Sequence, residues 1–132
     1  MNKITIEVIQ PTKTKISGKY DHIIIPGVDG DFGVDLDHTP FITKIRPGIL
    51  RLYTEKKIEE YAIHDGFVSV ENNKVKIVCE IIEDIPEIDL KRATSSKERA
   101  EKRLKSISED IDFRRAEIAL KKALVRISLK KE

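Results

Sequence analysis

A change of hydrophobic period near Pro86 constrains this chain more than any other feature. Up to about Ile85, apolar residues recur at every second position. Beyond Pro86 they recur with the spacing of a helix face. One polypeptide of 132 residues therefore carries a β-rich part followed by a helical part, divided at 1–86 and 87–132. Charge divides at the same place. Residues 1–87 hold 11 basic and 15 acidic side chains, and residues 88–132 hold 14 basic and 8 acidic ones. An acidic first part joined to a basic arm points to two pieces that meet different partners.

The β-rich part is a run of short segments. Ile4, Ile6 and Val8 alternate with Thr5, Glu7 and Ile9. Further runs span Tyr20–Ile25, Ile49–Tyr53, Lys57–Ile63, Phe67–Val70 and Val75–Cys79. Turn signals stand between them at Ser17-Gly18, Pro26-Gly27, Asp29-Gly30, Pro47-Gly48, Asp65-Gly66 and Asn72-Asn73. Closely spaced strands with no helical pattern between them predict an antiparallel β-sandwich or barrel. Asn72-Asn73 suits a tight hairpin, because asparagine tolerates positive φ.

The helical part predicts an antiparallel two-helix hairpin. Ala93, Ala100, Leu104 and Ile107 share one face of a first helix. Phe113, Ala116, Leu120, Ala123, Leu124 and Ile127 mark a second. Ser106 to Asp110 interrupts them, and Ser108 or Asp110 is expected to cap the second helix. Glu98–Lys102, Glu101–Lys105 and Glu117–Lys121 are acid-first pairs four residues apart, which support a solvated helix. Alanine lets helices approach closely but buries little area, so the expected hairpin is loosely held and free to move.

Several chemistries lack their residues. No serine stands in a nucleophile elbow, and Cys79 lies in an alternating strand as packing. His22, His38 and His64 are scattered, with no acid–base pair placed together. The glycine-rich stretch Gly27–Gly33 is followed by neither Gly-Lys-Ser/Thr nor a helix, so it reads as tight turns. Asp29, Asp31, Asp35, Asp37 and His38 lack the ligand ladder of a calcium loop, and no metal is expected. No apolar run is long enough to span a membrane. A single cysteine fits a reducing compartment. A nucleic-acid-binding β-module with a basic arm is the alternative reading. Aromatic residues at 5 % and no tryptophan weigh against it, as does the acidic β-rich part.

The stretch Pro26-Gly27-Val28-Asp29-Gly30-Asp31-Phe32-Gly33-Val34, then His38-Thr39-Pro40, then Pro47-Gly48-Ile49-Leu50-Arg51, resembles the epsilon subunit of F-type ATP synthases. Asp65-Gly66-Phe67-Val68-Ser69-Val70 is similar to that family's G-G-F-V-x-V segment, with Asp65 in place of the first glycine. Ile88-Asp89-Leu90-Lys91-Arg92-Ala93 matches its I/L-D-x-x-R-A motif, and Asp112 to Ala119 matches a D-x-x-R-A-x-x-A pattern. Asp35-Leu36-Asp37-His38 departs from the usual Leu-Pro-Gly-His or Leu-Pro-Asn-His.

The resemblance implies a sandwich of about ten strands with a C-terminal helical hairpin, and a non-catalytic rotor subunit. It implies contact with the gamma subunit and the c-subunit ring, through Asp29, Gly30, Asp31, His38 and Thr43. It implies that the raised hairpin inhibits ATP hydrolysis by reaching the catalytic alpha/beta hexamer, with Arg114, Arg115, Lys121, Lys122 and Arg126 meeting an acidic segment. It also implies a regulatory ATP site at Glu83, Ile88, Asp89, Arg92, Arg99, Lys122 and Arg126, with no other cofactor. Lys122 departs from the two arginines that strong nucleotide binders carry on this helix. Lysine meets phosphate as a point charge where arginine offers a two-pronged fork. A peripheral position on the cytoplasmic face of a bacterial membrane follows from the same resemblance.

Overall fold

The computed structural model describes residues 3–105 and 110–131, with the backbone alone at 110–112 and 131. Eight strands come first among them: β1 Ile4–Gln10, β2 Lys13–Tyr20, β3 His22–Gly27, β4 Gly30–Val34, β5 Phe41–Ile45, β6 Gly48–Tyr53, β7 Ile58–Glu71 and β8 Lys74–Asp84. Hydrogen bonding runs β2-β1-β8-β7-β5-β3-β4, and β6 pairs with both β3 and β7. The sheet folds over one core. Alternate residues supply it: Ile4, Ile6 and Val8 from β1, Ile23 and Ile25 from β3, Leu50 and Leu52 from β6, Val75 and Ile77 from β8. Cys79 joins this core, and burial pushes its thiol up to about 11, which makes it inert.

The strand number is eight among the described residues, close to the ten expected. Pro26-Gly27 closes β3, and two further apparent turns lie inside strands. Ser17-Gly18 belongs to β2, and Asp65-Gly66 sits in the middle of the 14-residue β7. Asp65 takes a left-handed φ of 60°, which bends β7 without ending it. The bend matters for topology. Before it, β7 pairs with β6 from Gly48↔Ile63 to Tyr53↔Ile58. After it, β7 pairs with β5 from Phe41↔Val70 to Ile45↔Gly66. β5 and β6 are thus one interrupted strand along β7. The interruption falls at Arg46-Pro47, where proline has no N–H to offer a ladder. Across it, Arg46 N–H donates to the Pro26 carbonyl at 3.0 Å and Val28 N–H to the Lys44 carbonyl at 2.9 Å, tying the gap to β3.

One pairing departs from the antiparallel expectation. β1 lies parallel to β8, from Thr5↔Lys74 to Ile9↔Val78. Alternation alone does not distinguish the two directions, because the side-chain period is two in both. The Asn72-Asn73 turn forms as expected, with φ of 50° and 58° joining β7 to β8.

The path from sheet to helices is rigidly built. Asp84 caps a short 3-10 turn at Ile85–Glu87. Its carboxylate accepts from Glu87 N–H at 3.2 Å, and the Glu87 carboxylate accepts from Asp84 N–H at 3.1 Å. Lys15 of β2 binds Glu87, and this bond, followed by the Asp84 backbone bond, brings the Glu87 carboxyl down to about 2. Two helices follow, α1 Leu90–Lys105 and α2 Asp110–Lys131. Ile107 and the proposed Ser108 or Asp110 cap fall outside the described residues and side chains. No helix among the described residues is long and apolar enough to cross a membrane.

The hairpin packs on a narrower stripe than expected. Ala93, Ala100, Ala116 and Ala123 are buried, while Phe113 and Leu124 are exposed. Small side chains bring the two helices close, and residues rotated from the alanine line are left outside. A second buried face of α2 turns to the sheet. Leu129, roughly a third of a turn round the helix from the alanines, packs with Ala62 of β7 and Ile88, bordered by Ile49, Ile85 and Val125.

Candidate functional site

The helix start builds one wall of a cleft. Asp89 stands before α1 and its carboxylate accepts from Arg92 N–H at 3.0 Å, a helix N-cap. The Ile-Asp-x-x-Arg-Ala motif is therefore in part a capping motif. It also turns Arg92 and Arg99, seven residues apart, to one face. The sheet supplies a second wall from Ile81 and Glu83 of β8, and α2 supplies Arg126. The cleft holds about 370 Å³, lined by Ile81, Glu83, Glu87, Asp89, Arg92, Ala93, Ser96, Arg99 and Arg126.

Three guanidinium groups thus face three carboxylates. Arg126 Nε donates to Glu83 Oε1 at 2.6 Å, and Arg99 Nη2 donates to Ser96 Oγ at 3.1 Å. Arg92 lines the cleft with no ion-pair partner among the described residues. Such a set can hold a polyanion in a fork of arginines while the acids accept hydroxyl or amino donors.

Five of the seven residues expected at the ATP site therefore come together here: Glu83, Asp89, Arg92, Arg99 and Arg126. Two do not line the cleft. Ile88 is buried against Leu129 and Ala62. Lys122 is half-buried, and its Nζ is bonded to Asp65 Oδ2.

Beside Lys122 and Arg126 lies a residue that sequence reasoning treats only as one of three scattered histidines. His64 is fully buried on the outer face of β7, under α2. Arg126 Nη2 donates to its Nε2 at 3.4 Å, which leaves the ring proton on Nδ1. That Nδ1 has no partner, the one such buried side-chain atom among the described residues. Burial, then the Arg126 and Lys122 charges, lowers its pKa to about 4, against a smaller opposing pull from Asp65. The available signal was its phase in β7: position 64 alternates with the core residue Ile63, so it needs a cover from outside the sandwich.

The expected partner-contact residues lie elsewhere, on the loops and edge of the sandwich. Asp29 and Gly30 form an exposed turn, with Gly30 at φ 132°. Asp31 is already paired within the chain, to Arg46 Nη2 at 2.6 Å. His38 bonds the Thr39 carbonyl through Nδ1 at 2.6 Å and lies against Phe32, and Thr43 sits opposite Val68. Asp35 takes His22 Nδ1 at 2.7 Å, and Asp37 N–H donates to Asn73 Oδ1 at 2.6 Å. Among the described residues, no three metal-ligating side chains gather. On the hairpin, Arg114, Arg115 and Lys121 are exposed, and Lys121 pairs with Glu117 at 3.7 Å.

The family models for the ATP synthase delta/epsilon chain match this sequence twice. The β-sandwich domain matches residues 3–85 and the long α-helix domain matches residues 87–131. The chain belongs to the ATP synthase delta/epsilon family. Its relatives named ATP synthase epsilon chain include one from Desulforamulus reducens, 37 % identical over 92 % of both chains. Another, from Desulfitobacterium hafniense strain Y51, is 40 % identical over 94 % of this chain and 93 % of that one. In fold it is similar to a chain of the Euglena gracilis mitochondrial ATP synthase, with a TM-score of 0.85 at 23 % identity over 98 % of this chain and 82 % of that one. A chain from the central stalk and c-ring structure of the Tetrahymena thermophila enzyme gives 0.75 at 11 % identity, over 98 % and 97 %. As an epsilon-type member of this family, the chain is a non-catalytic subunit of an ATP synthase.

Proposed function

We propose that this subunit belongs to the central stalk, and that its hairpin is a nucleotide-responsive arm regulating ATP hydrolysis. The observation that carries the second part is the convergence of Arg92, Arg99 and Arg126 on one cleft walled by both helices and by the sheet. A triphosphate bridging α1 and α2 there holds the arm against the sandwich. An arm that leaves the sandwich presents Arg114, Arg115, Lys121, Lys122 and Arg126 to an acidic segment of the catalytic alpha/beta hexamer. ATP and that segment then compete for Arg126, and each shifts the arm by its differential affinity for the two positions. On this reading residues 1–86 are the platform and residues 87–132 the moving part.

For the stalk position, an apolar stripe supports a protein contact. Val78 of β8, Phe67 of β7 and Lys44 of β5 are register neighbours on the outer face, and Ile42 lies two residues from Lys44. Phe67, Val78 and Ile42 are 54 %, 52 % and 76 % exposed, and the Lys44 ammonium lies 5.8 Å over the Phe67 ring. Exposed aromatic and aliphatic side chains side by side mark an interaction surface, which we assign to the gamma subunit. Asp29 and the neighbouring turn are assigned to the c-subunit ring. Within that assembly this subunit is peripheral, on the cytoplasmic face of the membrane.

Calorimetric titration of ATP into the intact chain tests the nucleotide reading. The parent is expected to bind saturably. Arg92→Ala and Arg99→Ala are each expected to weaken binding at least about 10-fold, the scale of one lost charge-assisted contact. A parent chain that takes up no ATP at millimolar concentration overturns it.

A further inference from the structure

Two departures from the family pattern, far apart in sequence, touch each other. On the resemblance drawn from the sequence, Asp65 takes the place of a glycine and Lys122 that of an arginine. Their side chains form an ion pair between β7 and α2, with 38 % and 23 % of the side chain exposed. The backbone at position 65 is left-handed, a conformation that glycine adopts more easily than aspartate. What aspartate adds there is a carboxylate aimed at α2.

The pair is one rung of three. Lys122, Arg126 and Lys130 recur every fourth residue, so they share a face of α2. Lys122 meets Asp65 of β7, Arg126 meets Glu83 of β8, and Lys130 Nζ donates to the Ile85 carbonyl at 2.9 Å. The apolar contact between these elements is small, with Leu129 its centre. The charged rungs therefore carry an appreciable share of the docking.

We propose that Asp65 and Lys122 are a latch that fastens the hairpin to the sandwich without nucleotide, and that Lys122 is not a phosphate ligand. It rests on the reading of the hairpin as the moving part. In the docked arm the phosphate site is then confined to the arginines of the cleft. A raised arm must first part Lys122 from Asp65, so the sandwich competes with any acidic partner for that cation.

The test is amide hydrogen exchange of the full chain in the absence of nucleotide, comparing the parent with Asp65→Asn, Lys122→Gln and the double variant. Asparagine is chosen because it tolerates the left-handed backbone. Amides of α2 facing the sandwich are expected to exchange about 2- to 5-fold faster in either single variant, the range for a partly exposed pair. The double variant is expected to be no faster than the singles, since the same contact is lost in all three. Raising salt should speed exchange more in the parent than in the variants, which keep only the Arg126–Glu83 ion pair. Unaltered sheet amides establish that the variants are folded. Parent-like exchange of α2 in Asp65→Asn overturns the latch. ATP titration of the same proteins separates the two readings. Equal small effects of Asp65→Asn and Lys122→Gln support the latch, whereas a large loss confined to Lys122→Gln makes Lys122 a phosphate ligand and rejects it. Absence of ATP binding in every protein removes the nucleotide reading and leaves the exchange result standing.

Discussion

Gly66 sits at the bend of β7, where the strand changes partners. A methyl group there would lie 2.3 Å from the Val78 carbonyl oxygen and 2.9 Å from Cys79 Cα, both backbone atoms that cannot step aside. Gly66→Ala must therefore separate β7 from β8 in the middle of the core sheet. The expected loss is more than about 3 kcal/mol in urea unfolding, the upper range for single substitutions. Two residues earlier, His64 makes stability depend on pH. Its ring is neutral in the fold, with Arg126 and Lys122 on one side and Asp65 and Glu83 paired to them. Its folded value is about 4, against 6.5 for the free side chain. Between those values the unfolded chain binds a proton that the folded chain does not. Stability is therefore full above pH 6.5 and falls as pH drops towards 4. Unfolding at pH 7.5 and pH 5.0 should differ by about 2 kcal/mol from this group alone. His64→Gln should remove most of that difference. A parent whose stability is flat between the two pH values contradicts the assignment.

At the scale of the elements, α2 docks on a small apolar contact reinforced by ions. Leu129 is fully buried between Ala62 and Ile88, and among the described residues no other large side chain of α2 is buried to that degree. Leu129→Ala is expected to cost about 2–4 kcal/mol of docking, read as loss of exchange protection in α2 with sheet protection unchanged. Leu124→Ala, on the exposed side, should do neither. Leu124 also shows what the sequence hides. The alanine spacing makes the hairpin legible, because four small residues at helical intervals have few other uses. It does not reveal that α2 has two buried faces, since the second meets residues of β7 far away in the chain. The same holds in the sheet. The Asn72-Asn73 turn is written locally. Asp65-Gly66 has the same local chemistry but sits inside a strand, and only the pairing of β5 and β6 along β7 explains why. The parallel contact of β1 with β8 joins residues some 70 positions apart, and nothing in either segment encodes it. In the cleft, the motif at Ile88–Ala93 points to Asp89 and Arg92, whereas the contact of Lys122 with Asp65 joins residues 57 positions apart and is not written in either segment.

Across the whole molecule, the two candidate interaction regions have independent chemistry. The cleft between sandwich and hairpin is charged and rests on arginines. The outer stripe of Ile42, Phe67 and Val78 is apolar and already half in water. Exposed apolar residues contribute little to folding, so Phe67→Ser with Val78→Ser should change unfolding by less than about 1 kcal/mol. If the stripe seats the gamma subunit, those two residues bury their remaining area only in the complex. Truncating side chains at the centre of such a contact typically weakens association by about 2 kcal/mol or more, roughly 30-fold. The double variant is therefore expected to bind gamma at least about 30-fold more weakly, measured by titration of the purified subunits. Its response to ATP should match the parent. Arg99→Ala should show the converse, with gamma binding intact and the ATP response lost. Separate loss of the two activities means that a rigid platform holds position in the stalk while the arm responds to nucleotide. A Phe67/Val78 variant that keeps full gamma affinity would move that contact to another face of the sandwich.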